Sequence, residues 1–229
     1  MADYLIDQYA KMIQCIDKTN IHKLNSKDLT TQFFSKGSLY NGKLMIVGRA
    51  VNGWSETWQH GFFVQESPFK MVSEAYQRSL VEPLTWVNYF WGRNEKDEKG
   101  NKCYNTAVSR FWQLAKELIY RLTPQEQLAE NRWAETIVWS NLYKVAPNEG
   151  GNPNEPLCRA QLEYCRNILK HEIEITTPQY VLFVTDNDWF RDFKDIVDST
   201  GCKYQVCKRP ERNSPSLMAD EIIDRFLKD

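Results

Sequence analysis

Four short, largely apolar runs along the chain have the length of buried β-strands. They begin at Leu44, Thr136, Tyr180 and Tyr204, and each is bounded by glycine, proline or polar residues. Strands that are buried on both faces of a parallel sheet have this nearly continuous apolar pattern rather than strict alternation. The pattern therefore predicts four strands of one parallel sheet.

Around these runs, apolar residues recur every three or four positions, which is the spacing of amphipathic helices. Helical segments are predicted at residues 3–16, 26–34, 68–80, 108–122, 158–169, 189–197 and 215–226. Helices that alternate with strands are typical of a doubly wound α/β sandwich, with helices on both faces of the sheet. The chain has no internal repeat and no linker, so residues 1–229 are predicted to form a single domain.

Composition and charge exclude several classes of protein. The 29 Lys and Arg residues are balanced by 30 Asp and Glu residues, and the net charge of −1 excludes a generally basic nucleic-acid coat but not a local basic patch. The sequence has no apolar run that could span a bilayer and no apolar signal core near Met1, so a cytoplasmic protein without a membrane partner is expected. Six cysteines without a C-x-x-C pair and three histidines without metal-ligand spacing predict reduced thiols and no metal site.

Polar residues follow each predicted strand at its carboxyl end. They occupy residues 48–54, 140–144, 185–188 and 208–213. In an open parallel sheet, ligands bind in the crevice at these ends. The chain also has eight Trp and eleven Tyr residues, and such rings either fill a core or stack on bases. We therefore expect one ligand site at the carboxyl edge of the sheet.

The order and character of these segments resemble the uracil-DNA glycosylase superfamily, and residues 141–184 resemble its iron–sulfur-containing branch. That branch reads roughly T-N-x-V-K-C-x-P, followed by a polar N-x-P loop, C-x-x-x-L and P-x-x-I-V. The corresponding residues here, in order, are Asn141, Lys144, Pro147, Asn152, Pro153, Cys165, Leu169, Pro178 and Val181. Gly48 resembles the glycine that opens the first superfamily motif, and Arg209-Pro210 stands where the superfamily has H-P-S.

This resemblance implies a fold, a partner and a reaction. The implied fold is a three-layer αβα sandwich whose four parallel strands have the order 2-1-3-4, with the first strand in the centre. The implied partner of this DNA-repair fold is DNA, or a nucleobase or nucleotide, and a monomer without cofactors is expected. A base-excision enzyme flips a base out of the stack, holds its face against an aromatic ring and hydrolyses the N-glycosidic bond.

The resemblance also implies roles for particular residues. Asn141 corresponds to the amide that reads the base edge, and Phe62 or Phe63 is the candidate stacking ring. Arg209 and Asn52 are the candidate catalytic residues, and Arg209 is expected to face the base or a phosphate. The further candidates for substrate contact are Gly48, Arg49, Ala50, Trp54 and Lys144.

Departures from the superfamily pattern bear on catalysis. Ala50 stands where several branches have Asp or Asn, Arg49 where the iron–sulfur branch has Glu, and Arg209 where the final motif has His. Of the four cluster cysteines, only Cys165 has a counterpart, so no iron–sulfur cluster is expected. The carboxylates that remain as substitutes are Glu56, Asp186 and Asp188.

Three functions stay open on the sequence alone. The first is a base-excision hydrolase with altered catalytic residues. The second is a protein that binds a nucleobase, a nucleotide or a nucleic acid without cleaving it, which Ala50 and Arg209 favour. The third is a small-molecule hydrolase of unrelated chemistry, for which no G-x-S-x-G element is present.

Overall fold

The computed structural model describes residues 2–21, 27–51, 56–81, 83–96, 100, 103–124, 131–211 and 214–228. The α-helices of these residues are α1 (Ala2–Lys18), α2 (Phe69–Ser79), α3 (Thr85–Tyr89), α4 (Arg110–Leu122), α5 (Glu155–Thr176), α6 (Asn187–Phe190), α7 (Lys194–Asp198) and α8 (Pro215–Lys228). Their strands are β1 (Asp28–Thr31), β2 (Ser35–Lys36), β3 (Leu44–Ala50), β4 (Glu56–Gln59), β5 (Val138–Tyr143), β6 (Val145–Pro147), β7 (Tyr180–Val184) and β8 (Lys203–Cys207). No described helix combines the length and apolar character needed to cross a lipid bilayer.

The main sheet has five strands in the order β2-β5-β3-β7-β8. Four of them, β5, β3, β7 and β8, run parallel and correspond to the second, first, third and fourth predicted strands. The order predicted for these four strands is therefore confirmed. The prediction of a four-stranded, purely parallel sheet is wrong, because the two-residue strand β2 pairs antiparallel with β5 at the sheet edge.

A second, antiparallel sheet has the strand order β4-β1-β6. Its central strand β1 lies in the segment 26–34, which the sequence pattern predicts as a helix, so that prediction is wrong. Thr30 and Thr31 are completely buried there, and the Thr31 hydroxyl donates to the backbone oxygen of Lys144 at 2.9 Å. β-Branched residues favour a strand that is paired on both sides, and this tertiary pairing overrides the weak helical spacing.

Helices cover both faces of the main sheet, as an αβα sandwich requires. Because side chains alternate along a strand, Met45 and Val47 of β3 pack with α1 and α5, whereas Leu44 and Ile46 pack with α4 and α8. All four side chains are completely buried, and each contributes about 1.5–3 kcal/mol through its removal from water. The sheet is thus a rigid support for the residues that follow its strands.

Glu135 joins three segments of the chain beside β2. Its carboxylate accepts hydrogen bonds from Arg132 Nε (2.9 Å), Ser38 Oγ (2.8 Å) and Asn88 Nδ2 (3.4 Å). The hydrogen bond from Arg132 is the main reason why the pKa of Glu135 lies below its ordinary value of 4.5. A carboxyl group with a lower pKa in the folded state stabilises the fold above pH 4.5, and this stabilisation is lost as the pH falls through the folded-state pKa.

We expect Glu135→Gln to unfold at a lower denaturant concentration than the wild type at neutral pH, and to lose less stability on acidification. The neutral amide has no charge for Arg132 to stabilise and takes up no proton when the chain unfolds. Urea unfolding at about pH 7 and about pH 3.5 measures both effects. Glu149→Gln is the control, because that side chain is 76% exposed. Equal acid losses in the wild type and Glu135→Gln would contradict the assignment.

Candidate functional site

The ends of β5, β3, β7 and β8 lie at one edge of the main sheet, which we call the carboxyl edge. The strands extend into the first two predicted polar segments, since β3 includes residues 48–50 and β5 includes residues 140–143, and all four segments therefore reach the same edge. Two groups of candidate residues lie there. One surrounds Asn141 at the end of β5, and the other surrounds Arg49 at the end of β3.

Asn141 packs directly on Gly48. The two residues are partners in the parallel pairing of β5 and β3. A Cβ atom built on Gly48 would lie only 2.5 Å from Asn141 Oδ1, so any side chain at position 48 would displace the amide. Glycine is therefore needed here for close approach of the amide.

The Asn141 amide has hydrogen-bonding capacity that the described residues do not use. The residue is 6% exposed, and within the part of the chain that the structure describes its side chain has no hydrogen-bond partner. An amide offers two N–H donors and a carbonyl acceptor, and buried groups of this kind are normally hydrogen-bonded. A ligand that reaches the carboxyl edge beside Gly48 would satisfy it.

Phe111 is an aromatic neighbour of this amide that the sequence did not identify. It lies in the first turn of α4, and its Cε2 atom is 3.6 Å from the Cβ position built on Gly48. The ring is partly exposed, and its edge meets Trp112 at a centroid distance of 5.1 Å. The periodic pattern assigns Phe111 to the buried stripe of α4, and its position in the first helical turn is the only signal of a different role.

A cleft of about 760 Å³ occupies the other half of the carboxyl edge. The residues that line it are Arg49, Asp186, Asn187, Asp188, Val206, Cys207, Lys208, Arg209 and Glu211. Three cationic side chains in this set are balanced by three carboxylates, so the cleft has no large net charge. Burial raises the pKa of the Cys207 thiol to about 12, so Cys207 is not a thiolate nucleophile at neutral pH.

Arg49 is held in the cleft by Asp186. Its Nε donates to the backbone oxygen of Thr185 at 2.9 Å, and its guanidinium pairs with Asp186 Oδ2. Asp186 Oδ1 accepts the backbone N–H groups of Asp188 (3.1 Å) and Trp189 (3.2 Å), which caps the start of α6. Both oxygens of Asp186 are thus engaged, which argues against Asp186 as a substitute catalytic base.

The two groups of residues share an edge, but only the group around Arg49 lines the described cleft. Arg49 and Arg209 line the same cleft, as the sequence predicts, whereas Asn141 and Gly48 are not among the cleft residues. Three strand spacings separate β5 from β8, which is about 14 Å across the sheet. Arg49 and Gly48 are consecutive in β3, so their side-chain positions lie on opposite faces of the sheet. The expectation that Asn141 and Arg209 belong to one site stays a prediction, because both lie at the carboxyl edge but only Arg209 lines the described cleft.

Lys144 does not contact solvent, and its assignment to substrate binding disagrees with the structure. Its side chain is 1% exposed, and Nζ lies 2.8 and 2.9 Å from the two carboxylate oxygens of Glu172. Nζ also donates to Ser140 Oγ at 2.7 Å. The residue follows the strand end, but its side chain lies within the protein between β5 and α5.

The two candidate stacking rings lie in different environments. Phe63 is 6% exposed and packs near Trp58, while its backbone N–H donates to Asp17 at 2.7 Å. Phe63 is a core residue, so the structure disagrees with a stacking role for it. Phe62 is 59% exposed, and its ring edge contacts Phe63 at a centroid distance of 4.9 Å.

The remaining candidates have simpler outcomes. Ala50 is the last residue of β3, partly exposed and paired with Tyr143. Glu56 is 7% exposed and forms an ion pair with Arg78 at 2.7 Å, so it is not a free carboxylate. Asn52 and Trp54 lie outside the described residues.

Among the described residues, no three His, Cys, Asp or Glu side chains converge as a metal site would require.

Comparison with known proteins adds no family to this geometry. Neither a protein-family model nor a curated protein matches the chain. The residues of the carboxyl edge are therefore the basis on which a function can be proposed.

Proposed function

We propose that this chain is a divergent member of the uracil-DNA glycosylase superfamily that binds an unpaired nucleobase of DNA at its carboxyl edge. The observation that carries the proposal is the Asn141 amide, which lies on Gly48 without a hydrogen-bond partner among the described residues. The order of the four parallel strands supports the superfamily assignment, since it is the order that the resemblance implies.

The chemistry of the amide fits the edge of a pyrimidine. A uracil edge presents a carbonyl oxygen beside an N–H group, and one amide can donate to the first and accept from the second. A base can reach such a group only after it has left the base stack, because its pairing edge is otherwise occupied. The proposed ligand is therefore a base in an unpaired or flipped-out state.

Phe111 supplies the apolar face that such a base needs. Its ring edge and the Asn141 oxygen both lie within 4 Å of one point above Gly48, at 3.6 and 2.5 Å. Stacking of a base on an aromatic ring contributes about 1–3 kcal/mol, whichever base is bound. In this proposal Phe111 holds the face of the base and Asn141 reads its edge.

Contacts to the DNA backbone come from the far side of the carboxyl edge. Lys208 and Arg209 are exposed beside the cleft, and neither has an ion-pair partner among the described residues. Cations at such positions bind phosphate groups and set the register of the strand without reading sequence. Because β8 lies about 14 Å from β5, a strand of DNA can place a base at Asn141 and a phosphate group at Lys208, and a polynucleotide fits better than a free base.

We expect Asn141→Ala to weaken binding to a uracil-containing oligonucleotide by about tenfold to a hundredfold, because two hydrogen bonds are lost in a partly dry site. Binding to the same strand with an abasic residue should change little, since no base edge is present there. Phe111→Leu should act in the same direction, because it retains volume but removes the ring. Fluorescence anisotropy with labelled strands measures each affinity.

Asn154→Ala is the matched control for this experiment. Asn154 caps α5 by accepting the Leu157 backbone N–H at 3.0 Å, so its loss costs about 1 kcal/mol of stability. It lies in the loop before α5, outside both residue groups of the carboxyl edge. A wild type that binds uracil and abasic strands equally, or an Asn141→Ala variant that binds like the wild type, would refute the proposal.

A further inference from the structure

A fully buried polar network lies directly behind Asn141, on the opposite face of the main sheet. Glu172 of α5 is completely buried, and its carboxylate accepts the Ser140 hydroxyl at 2.6 Å and the Lys144 ammonium at 2.8 and 2.9 Å. Lys144 Nζ in turn donates to Ser140 Oγ at 2.7 Å. The network therefore connects one helix to the residues on both sides of Asn141.

A second set of contacts fixes the same segment from α5. The Gln161 amide oxygen accepts the backbone N–H groups of Lys144 (3.0 Å) and Val145 (2.9 Å), and its Nε2 donates to the Val145 oxygen at 2.8 Å. The Lys144 oxygen accepts the Thr31 hydroxyl. The backbone from 140 to 145 is thus tied to its surroundings by side chains rather than by sheet pairing alone.

The stability of the fold does not explain why charged groups occupy these positions. Removing two charges from water costs about as much as their attraction returns, and apolar residues of the same size are often equally stable or better. What an ion pair adds is a fixed geometry, because its hydrogen bonds define the positions of the atoms they join. Here those atoms belong to the residues that precede and follow Asn141.

We propose that Ser140, Lys144 and Glu172 are positioning residues that hold the end of β5 so that the Asn141 amide stays on Gly48 and faces the ligand. The inference rests on the proposed function, since it assumes that Asn141 reads a base. The network lies on the α5 face of β5 and the amide on the α4 face, so the network acts through the backbone and does not contact the ligand.

The test replaces both charges together, as Lys144→Met with Glu172→Leu, so that no buried charge is left unpaired. The quantity measured is the ratio of affinities for a uracil-containing strand and an abasic strand, because only base reading changes this ratio. We expect the thermal midpoint to stay within about 5 °C of the wild type, while the ratio falls by about fivefold or more. The side-chain amide resonances of Asn141 in a ¹⁵N NMR spectrum should also move without any ligand present.

Controls separate positioning from simple stabilisation. Ile168→Val on α5 lowers stability slightly and should leave the ratio unchanged. Ser140→Ala removes one hydroxyl and keeps the ion pair, so it provides the test if the double variant does not fold, and its ratio should also fall.

The results of these experiments separate the positioning role of the network from the proposed base-binding function. A folded double variant, or a Ser140→Ala variant, that keeps the wild-type ratio and the wild-type Asn141 resonances would overturn the positioning role while the proposed function stands. A wild type with no preference for the uracil strand would refute the proposed function, and the positioning role with it.

Discussion

Lys144→Met alone is expected to lower the free energy of unfolding by about 3–5 kcal/mol. The substitution removes the only cation that the structure shows within ion-pair distance of Glu172, whose side chain is completely buried. The carboxylate would then be left in the core with the Ser140 hydroxyl as its remaining side-chain donor among the described residues. Urea unfolding, followed by tryptophan fluorescence, measures the loss.

Lys11→Met is the matched control for this prediction. Lys11 also forms an ion pair, with Asp7 at 2.8 Å, but these side chains are 60% and 45% exposed. Water screens such a pair, so the unfolding midpoint should barely change. Adding Glu172→Leu to Lys144→Met should recover most of the lost stability, because it removes the unpaired charge. Equal effects of Lys144→Met and Lys11→Met would show that the buried pair does not exist as described.

The strands of the main sheet were predictable because burial on both faces leaves a continuous apolar run. Leu44, Tyr180 and their neighbours need apolar side chains on each face, and this pattern is visible without a structure. The strand β2 has only two residues, which is too short for any periodic signal. The strand β1 depends on β4 and β6 for both of its partners, and that pairing is not encoded in its own four residues.

The candidate site was predictable only where backbone position decides the outcome. Gly48 and Asn141 both lie near the carboxyl ends of neighbouring strands, so their approach follows from the strand order. The burial of Lys144 and Phe63 was not predictable, because it depends on the direction of each side chain. Lys144 turns toward α5, where it meets Glu172, and Phe63 packs in the core cluster that contains α1. Phe111 was missed because its distance from Gly48 depends on how α4 crosses the sheet, which no local pattern specifies.

We expect this protein to release uracil from DNA at least about 10²- to 10³-fold more slowly than an active uracil-DNA glycosylase assayed beside it. Cleavage of the glycosidic bond needs fixed charge beside the developing sugar cation and the departing base anion. Ala50 supplies no charge at the end of β3, and Asp186 is neutralised by Arg49. Of the other carboxylates proposed from the sequence, Glu56 is buried and paired with Arg78, and Asp188 is exposed in the cleft. Single-turnover release of uracil, with protein in excess over labelled DNA, measures the rate.

Arg209 is the residue on which any remaining excision should depend. It is an exposed cation beside the cleft, and a permanent positive charge there can stabilise a departing base anion as an imidazole donor would. Arg209→Ala should therefore abolish residual release and Arg209→Lys should retain part of it. Arg159→Ala, which alters an exposed arginine on α5, should have no effect. Rapid release of uracil by the wild type, lost in Arg209→Ala, would contradict binding without efficient turnover and would assign the protein to the base-excision hydrolases.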